Sequence, residues 1–342
     1  MQKRVTQKSI AANLKLHPST VCLALKNSPL IPEATKSQVQ AAAQRLGYVR
    51  DPVLAALSAY ARRGRGHGFH GTIAWLVSTA DGENWRERPE YLAYHAGAKA
   101  RAQQLGYVLD IFDLHPHENS PDRLLRIFRR RNIRGVLVCP QPKGDTVIKM
   151  DCGELSAVTF GYTVTSPRLH AVTAYHFAAI REIFARLRKA GYKRIGCAIP
   201  EIHDNRLRNA YSAGYLVEQK ATPPKCRVPP FTYTMRAADS FEQFSDWLIE
   251  TKPDALITVH YNAPDFLKRL KLAIPAHLGV ALTSIVDGVR HYAGIDEDSE
   301  GIGRVAAELL VSMVERGEVG LPQNPQRVLY SGSWQDGTTI RQ

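Results

Sequence analysis

The chain has 342 residues, a length that suits two or three domains. Its 44% hydrophobic, 23% charged and 8% aromatic residues are a globular composition, which excludes disordered, collagen-like and coiled-coil classes. The net charge of +13 is unevenly placed: residues 1–70 hold eleven Lys and Arg against Glu33 and Asp51, leaving +9 on the first fifth of the chain, a segment suited to a polyanion. No run of about 18 uncharged apolar residues occurs, and MQKRVTQKSI lacks the pattern of a secretory signal, so a cytoplasmic protein with no membrane partner is expected. Cys22, Cys139, Cys152, Cys197 and Cys226 are too scattered for a disulfide framework or a CxxC metal pair, and read as isolated buried thiols.

The first fifty residues predict three short helices. Thr6 can N-cap a helix through Asn13, with Ile10, Ala11 and Leu14 at helical spacing. A tight turn spans Leu14 to His17. Pro18 then suits the first position of a helix to Leu25, because its missing N–H would be unsatisfied there anyway. Val21, Ala24 and Leu25 face inward, which turns Ser19, Thr20, Cys22, Leu23 and Lys26 outward. A third helix starts near Pro32 and Glu33, runs through Val39 and Ala42 to Leu46, and stops at Gly47.

After Asp51-Pro52, the apolar VLAALSAYA leads into RRGRGHGFHG, a basic glycine-rich linker with a domain boundary near 70. Gly66, Gly68 and Gly71 fit GxGxxG, but a strand follows where a dinucleotide fingerprint needs a helix. From 71 onward strands and helices alternate, as in parallel α/β sheets: strands at 71–78, 108–114, 135–140, 157–162, 194–199, 255–259, 279–285 and 327–332. Helices are expected at 91–106, 121–131, 174–190, 206–219, 241–250 and 301–316. A break near 163–173 points to two lobes. HPHE (115–118) lacks the two-histidine spacing of a zinc protease helix, and neither a GxSxG elbow nor a P-loop occurs, so no enzyme, no metal and no cofactor is expected.

A small basic helix-turn-helix head joined to a two-lobed α/β body resembles the lactose-repressor (LacI/GalR) family of bacterial transcription regulators. In the head, Thr6, Ile10, Ala11, Ser19-Thr20-Val21, Leu25, Asn27, Thr35, Val39, Leu46-Gly47-Tyr48 and Pro52 stand at matching places. In the body, GYKRIG (191–196), PDALIT (253–258), IPAHLGVA (274–281), IGRVAAELL (302–310) and GSWQDGTT (332–339) are similar to its signatures. The resemblance implies an all-α helix-turn-helix head at 1–50, a hinge helix and linker at 51–70, and a periplasmic-binding-protein-like body with parallel sheets at 71–342. It also implies a homodimer on a pseudo-palindromic DNA operator, since one head reads a half-site and two heads about 34 to 36 Å apart read both.

The resemblance assigns DNA contact to Thr6, Pro18, Ser19, Thr20, Leu23, Lys26 and Asn27, with Leu57 as a minor-groove wedge or, equally, as linker packing. Lys3, Arg4, Lys26 and Lys36 are phosphate contacts as a group. Four positions of the head and hinge depart from the family's pattern: Lys15 replaces the turn glycine, Cys22 a common serine, Leu23 a polar recognition residue, and the hinge pattern lacks its arginine beside Ala55. In the body the resemblance implies a small-molecule effector, by default a carbohydrate, between the lobes. Trp85, Tyr91, Arg206, Tyr211, Asn262, Asp287 and Glu297 are the candidates to hold it. Tyr211 stands where many members carry a sugar-binding arginine; its phenol can stack on a ring but cannot make a charged clamp. Asp287 and Glu297 either accept sugar hydroxyls or are surface carboxylates. A carbohydrate-binding protein or enzyme on the same body is the alternative, and it leaves the basic head unexplained.

Overall fold

A computed structural model describes residues 5–25, 28, 30–48, 70–78, 84–115, 121–141, 143–235, 237–260 and 262–341. Lys3, Arg4, Lys26, Asn27 and the expected hinge from 51 to 69, Leu57 included, lie outside the described residues.

The head is three helices, α1 (Gln7–Leu14), α2 (Pro18–Leu25) and α3 (Glu33–Arg45). The Thr6 side chain accepts from the Ser9 N–H while Ser9 Oγ accepts from the Thr6 N–H at 2.7 Å, a reciprocal cap on two otherwise orphaned donors. Lys15 closes α1 in the left-handed region (φ 52°, ψ 38°), the conformation that favours glycine, and Gly47 ends α3 at φ 68°. Ile10, Ala11, Val21, Ala24, Val39, Ala42 and Ala43 are buried together, with Leu14, Leu25, Leu46 and Tyr48 packed around them.

In the body, β1 (Gly71–Val77), β2 (Tyr107–Asp113), β3 (Gly135–Val138), β5 (Ser156–Phe160), β7 (His170–Ala174) and β13 (Arg327–Tyr330) form a fully parallel sheet ordered β13-β7-β5-β3-β1-β2. The second sheet, ordered β14-β12-β11-β10-β8-β9, contains β8 (Ile195–Pro200), β9 (Phe231–Tyr233), β10 (Ala255–Thr258), β11 (Gly279–Leu282), β12 (Ala293–Asp296) and β14 (Ser333–Gln335). Its one antiparallel pair is β12 with β14. A small parallel pair, β4 (Thr146–Val147) and β6 (Val164–Ser166), lies beside the first sheet in sequence.

Successive strand residues fall on opposite faces: Ile73, Trp75 and Val77 enter one core cluster while Ala74 and Leu76 enter another. Burial on both faces explains why these strands are continuous apolar runs rather than alternating ones. The covering helices are α4 (Pro89–Gln104), α5 (Pro121–Arg130), α6 (His176–Lys189), α7 (Glu201–Arg206), α8 (Ala210–Ala221), α9 (Ser240–Thr251), α10 (Asn262–Arg269) and α11 (Ser299–Arg316). α4 and α11 approach closely because both carry glycine at the crossing: a Cβ on Gly97 would strike the Glu300 carbonyl, and one on Gly303 the Tyr94 carbonyl.

Among the described residues the chain passes between the sheets three times, after β7, after β12 and after β13. These crossings are tied together. Tyr175 N–H donates to the Tyr330 carbonyl at 2.9 Å, and the Tyr330 hydroxyl donates to Asp298 Oδ2 at 2.6 Å. Asp298 also caps α11 by accepting from Gly301 N–H and pairs with Arg304 at 3.0 Å. Burial works to raise the Asp298 carboxyl, but these donors outweigh it and hold it below its ordinary value.

Several boundaries differ from expectation. The break expected at 163–173 contains β6 and β7, so the first crossing comes at Tyr175, and the expected helix from 174 starts at His176. The helix expected at 206–219 starts only at Ala210, after a separate α7, because Arg208 and Asn209 both take positive φ and Asp204, buried on α7, accepts from Tyr211 and Ser212 N–H at the start of α8. Three thiols are buried as expected, while Cys22 and Cys226 are half-buried.

Candidate functional site

The strands of both sheets end toward a shared cleft. Pro140 follows β3, Phe160 to Thr163 end β5, and Thr173 lies near the end of β7; from the other lobe come Val259 and His260 after β10, Thr283 and Ser284 after β11, and Glu297 after β12. The start of α4 adds Arg88, Glu90, Tyr91 and Tyr94 on one side, and α7 with the turn into α8 adds His203, Arg206, Leu207 and Tyr211 on the other. The cleft holds about 730 Å³ of non-atom space, open solvent at its mouth included. Ligand crevices of open α/β sheets form at such carboxyl ends.

Four of the seven expected cleft residues line it: Tyr91, Arg206, Tyr211 and Glu297. Arg206, on α7 of the second lobe, reaches across to donate to the Tyr91 hydroxyl at 2.5 Å and the Gln141 carbonyl at 3.1 Å. Two residues on, Arg208 pairs with Asp145 of the first lobe at 2.7 Å. Tyr211 is buried between His176, edge-on at 5.3 Å, and His203, stacked at 5.9 Å, and its hydroxyl donates to Glu297 Oε1 at 3.5 Å.

Trp85 and Asp287 do not line this cleft. Trp85 packs its ring 5.8 Å from Trp75 in the core and borders only a smaller recess with Arg88, Tyr91 and Gln141. Asp287 is exposed and pairs with Arg290 at 3.0 Å, because the chain after β11 turns outward before β12. Asn262 begins α10, and its side chain lies outside the described residues.

Sequence reasoning missed the three cleft histidines, His176, His203 and His260, and the aromatic wall of Tyr94, Phe160 and Tyr162. Tyr94 and Phe160 are stacked with ring centres 5.1 Å apart. Burial pushes His176 down to about 4 and His203, helped by Arg206, down to about 3; burial also lowers His260, against the opposing pull of Glu90. All three are therefore neutral near pH 7. Burial raises Glu297 to about 8, reinforced by Glu90 and opposed by hydrogen bonds from Ser284 and Tyr211, so the floor of the cleft carries an uncharged carboxylic acid. His176 Nε2 lies 3.8 Å from Glu297 Oε1.

On the head, Ser19 and Pro18 are exposed on α2, and Thr20, Cys22 and Leu23 are half-buried beside the inward Val21 and Ala24. His17 Nδ1 accepts from the Ser19 N–H at 3.3 Å and lies 2.6 Å from the Ser19 hydroxyl. Thr6 is engaged as the cap of α1, and Lys36 pairs with Glu33 at 3.1 Å. Among the described residues, no group of three or more His, Cys, Asp or Glu is placed to hold a metal ion, and no helix is long and apolar enough to cross a membrane.

No family model matches the chain, and no curated protein matches it in sequence. Solved structures share its fold. The transcriptional regulator CelR in complex with cellobiose aligns at 17% identity over 98% of this chain and 100% of its own, with a TM-score of 0.53. The lac repressor dimer bound to operator and the anti-inducer ONPF aligns at 15% identity over 98% of this chain and 99% of its own, with a TM-score of 0.53. A LacI-family regulator structure from Rhizobium etli reaches a TM-score of 0.61 at 14% identity, over 79% of this chain and 99% of its own. The fold is thus that of LacI-family transcriptional regulators: a short-helix head followed by two parallel α/β sheets.

Proposed function

We propose that this protein is a cytoplasmic, sequence-specific DNA-binding transcription regulator, a repressor that binds a pseudo-palindromic operator as a homodimer and responds to a carbohydrate effector in the cleft. The division into a head at 1–50, a hinge and linker at 51–70 and an effector-binding and dimerising body at 71–342 belongs to this reading. The observation that carries it is the combination in one chain of a strongly basic three-helix head and a lined cleft at the strand ends of two sheets.

The exposed side of α2 suits the major groove, with Ser19 and Thr20 offering hydroxyls and Leu23 an apolar contact to a thymine methyl. Thr6 and Pro18 present helix starts to phosphates, Lys26 and Asn27 are further proposed contacts, and Leu57 is the proposed wedge. In the body, Tyr91, Arg206, Tyr211 and Glu297 hold the effector. Arg206 bonds across the cleft, so a ligand that displaces those bonds alters how the lobes are held. Coupling of this kind between effector and operator is reciprocal and typically about 1 to 3 kcal/mol.

A carbohydrate-binding protein or enzyme on this fold has no use for the basic head, and one experiment separates the two. The intact chain and a chain lacking residues 1–65 are titrated with duplex DNA and with ligand. The regulator requires loss of DNA binding with ligand binding kept; DNA binding retained without the head overturns it.

A further inference from the structure

We propose that the cleft takes a sugar ring that carries one carboxylate or phosphate, with the anionic group seated on Arg206. This deepens the effector reading above and rests on it. Arg206 is a half-buried guanidinium whose hydrogen bonds go to neutral acceptors, the Tyr91 hydroxyl and the Gln141 carbonyl, and among the described residues no carboxylate pairs with it. Its neighbour Arg208 shows the contrast, being taken by Asp145. A planar fork held in place by neutral groups keeps its charge for an incoming anion, which it can grip in two-point fashion.

The charges around it agree. Arg88 adds a second cation to the lining, and burial holds Glu297 protonated on its floor. The floor carries unmet hydrogen-bonding capacity: His176 Nδ1 and Thr283 Oγ1 are buried without a partner, on residues only 8% and 0% exposed. Buried polar atoms of this kind point to a ligand that brings hydroxyls. Tyr94, Phe160 and Tyr162 supply the aromatic wall for the apolar face of a sugar ring. Tyr211 cannot clamp a charge; Arg206, five residues earlier, supplies one from the neighbouring helix.

The test is calorimetric titration of the full chain with D-glucuronate, D-galacturonate and glucose 6-phosphate beside glucose and galactose. The expected result is that an acid or the phosphate binds about tenfold or more tightly than its neutral parent, as one charge-assisted contact requires, and which of the two does so identifies the group. Arg206→Gln should abolish that preference, bringing acid or phosphate and parent sugar to like affinity in the variant, and Arg206→Lys should restore part of it. A neutral sugar binding as tightly as its acid, an anion preference that survives Arg206→Gln, or no binding by any of these compounds overturns the proposal. Sequence-specific DNA binding measured on the same preparation separates the two claims. DNA binding with no anion preference removes only this proposal, whereas an anion preference without DNA binding removes the regulator reading instead.

Discussion

Replacing Glu297 by Gln keeps the shape of a buried carboxylic acid and removes its titration. In the native protein burial pushes this carboxyl from its ordinary 4.5 to about 8, while in the unfolded chain it ionises normally. Between those values the native state retains a proton that the unfolded state has released, so stability must fall as pH rises, by about 1.4 kcal/mol per pH unit. From pH 4.5 to about 8 the loss is on the order of 4 to 5 kcal/mol, and above that the contribution is flat. His176 and His203, lowered to about 4 and about 3, act in the opposite sense, losing stability as pH falls below 6.5, but they are present in both proteins and cancel in the difference. Urea unfolding of the two proteins from about pH 5 to about pH 9 reads that difference directly. The Gln variant should gain on the parent steadily up to about pH 8 and no further. Parallel stability curves would mean that Glu297 ionises like an exposed acid, and the uncharged floor of the cleft would be wrong.

Lys15→Gly should stabilise the head by about 1 kcal/mol, because Lys15 is exposed and holds a left-handed backbone, an effect visible as a raised melting temperature of the head. Gly97→Ala should destabilise the body by about 1 to 3 kcal/mol or more in urea unfolding, since the added methyl meets the Glu300 carbonyl of α11 rather than a side chain that can move. Leu23→Ala or Ser19→Ala should change the preferred DNA sequence in a competition assay, whereas Lys26→Ala should weaken all sequences alike and lower the salt dependence of binding by about one unit of slope. Unaltered sequence preference in Leu23→Ala would remove that residue from base readout.

The head was legible almost residue by residue, because its signals are local: a capping threonine, a proline at the first helical position and a glycine after the last turn fix the bounds of α1, α2 and α3 to within about one residue. The body was legible as alternating strands and helices, since doubly buried strands are continuous apolar runs. Short edge strands such as β9 and β14 carry too few residues for such a run, and β7 was hidden because HAVTA abuts a helix whose pattern reads back into it. The division between α7 and α8 depends on Asp204 capping a helix it does not belong to, a tertiary contact with no local signature.

The site shows the same limit. Tyr91 and Arg206 were reachable as candidates in crevice loops or helix starts, and Tyr211 and Glu297 through the resemblance to the lactose-repressor family. The histidines were not, because His176, His203 and His260 lie on three separate segments and meet only when both sheets and the first crossing are assembled. Asp287, left open between sugar acceptor and surface carboxylate, is the surface carboxylate: a loop's direction decides which way it faces, and here it meets Arg290 outside.

The central claim, that the basic head directs this fold to particular DNA sequences, is tested most directly by selecting bound fragments from a random duplex library with the purified full chain, then repeating the binding across salt concentrations. The expected result is an enriched site with two-fold symmetry, half-sites about one helical turn apart, and affinity that falls steeply with salt. Enrichment of no sequence, with weak binding that depends on salt alone, would contradict it.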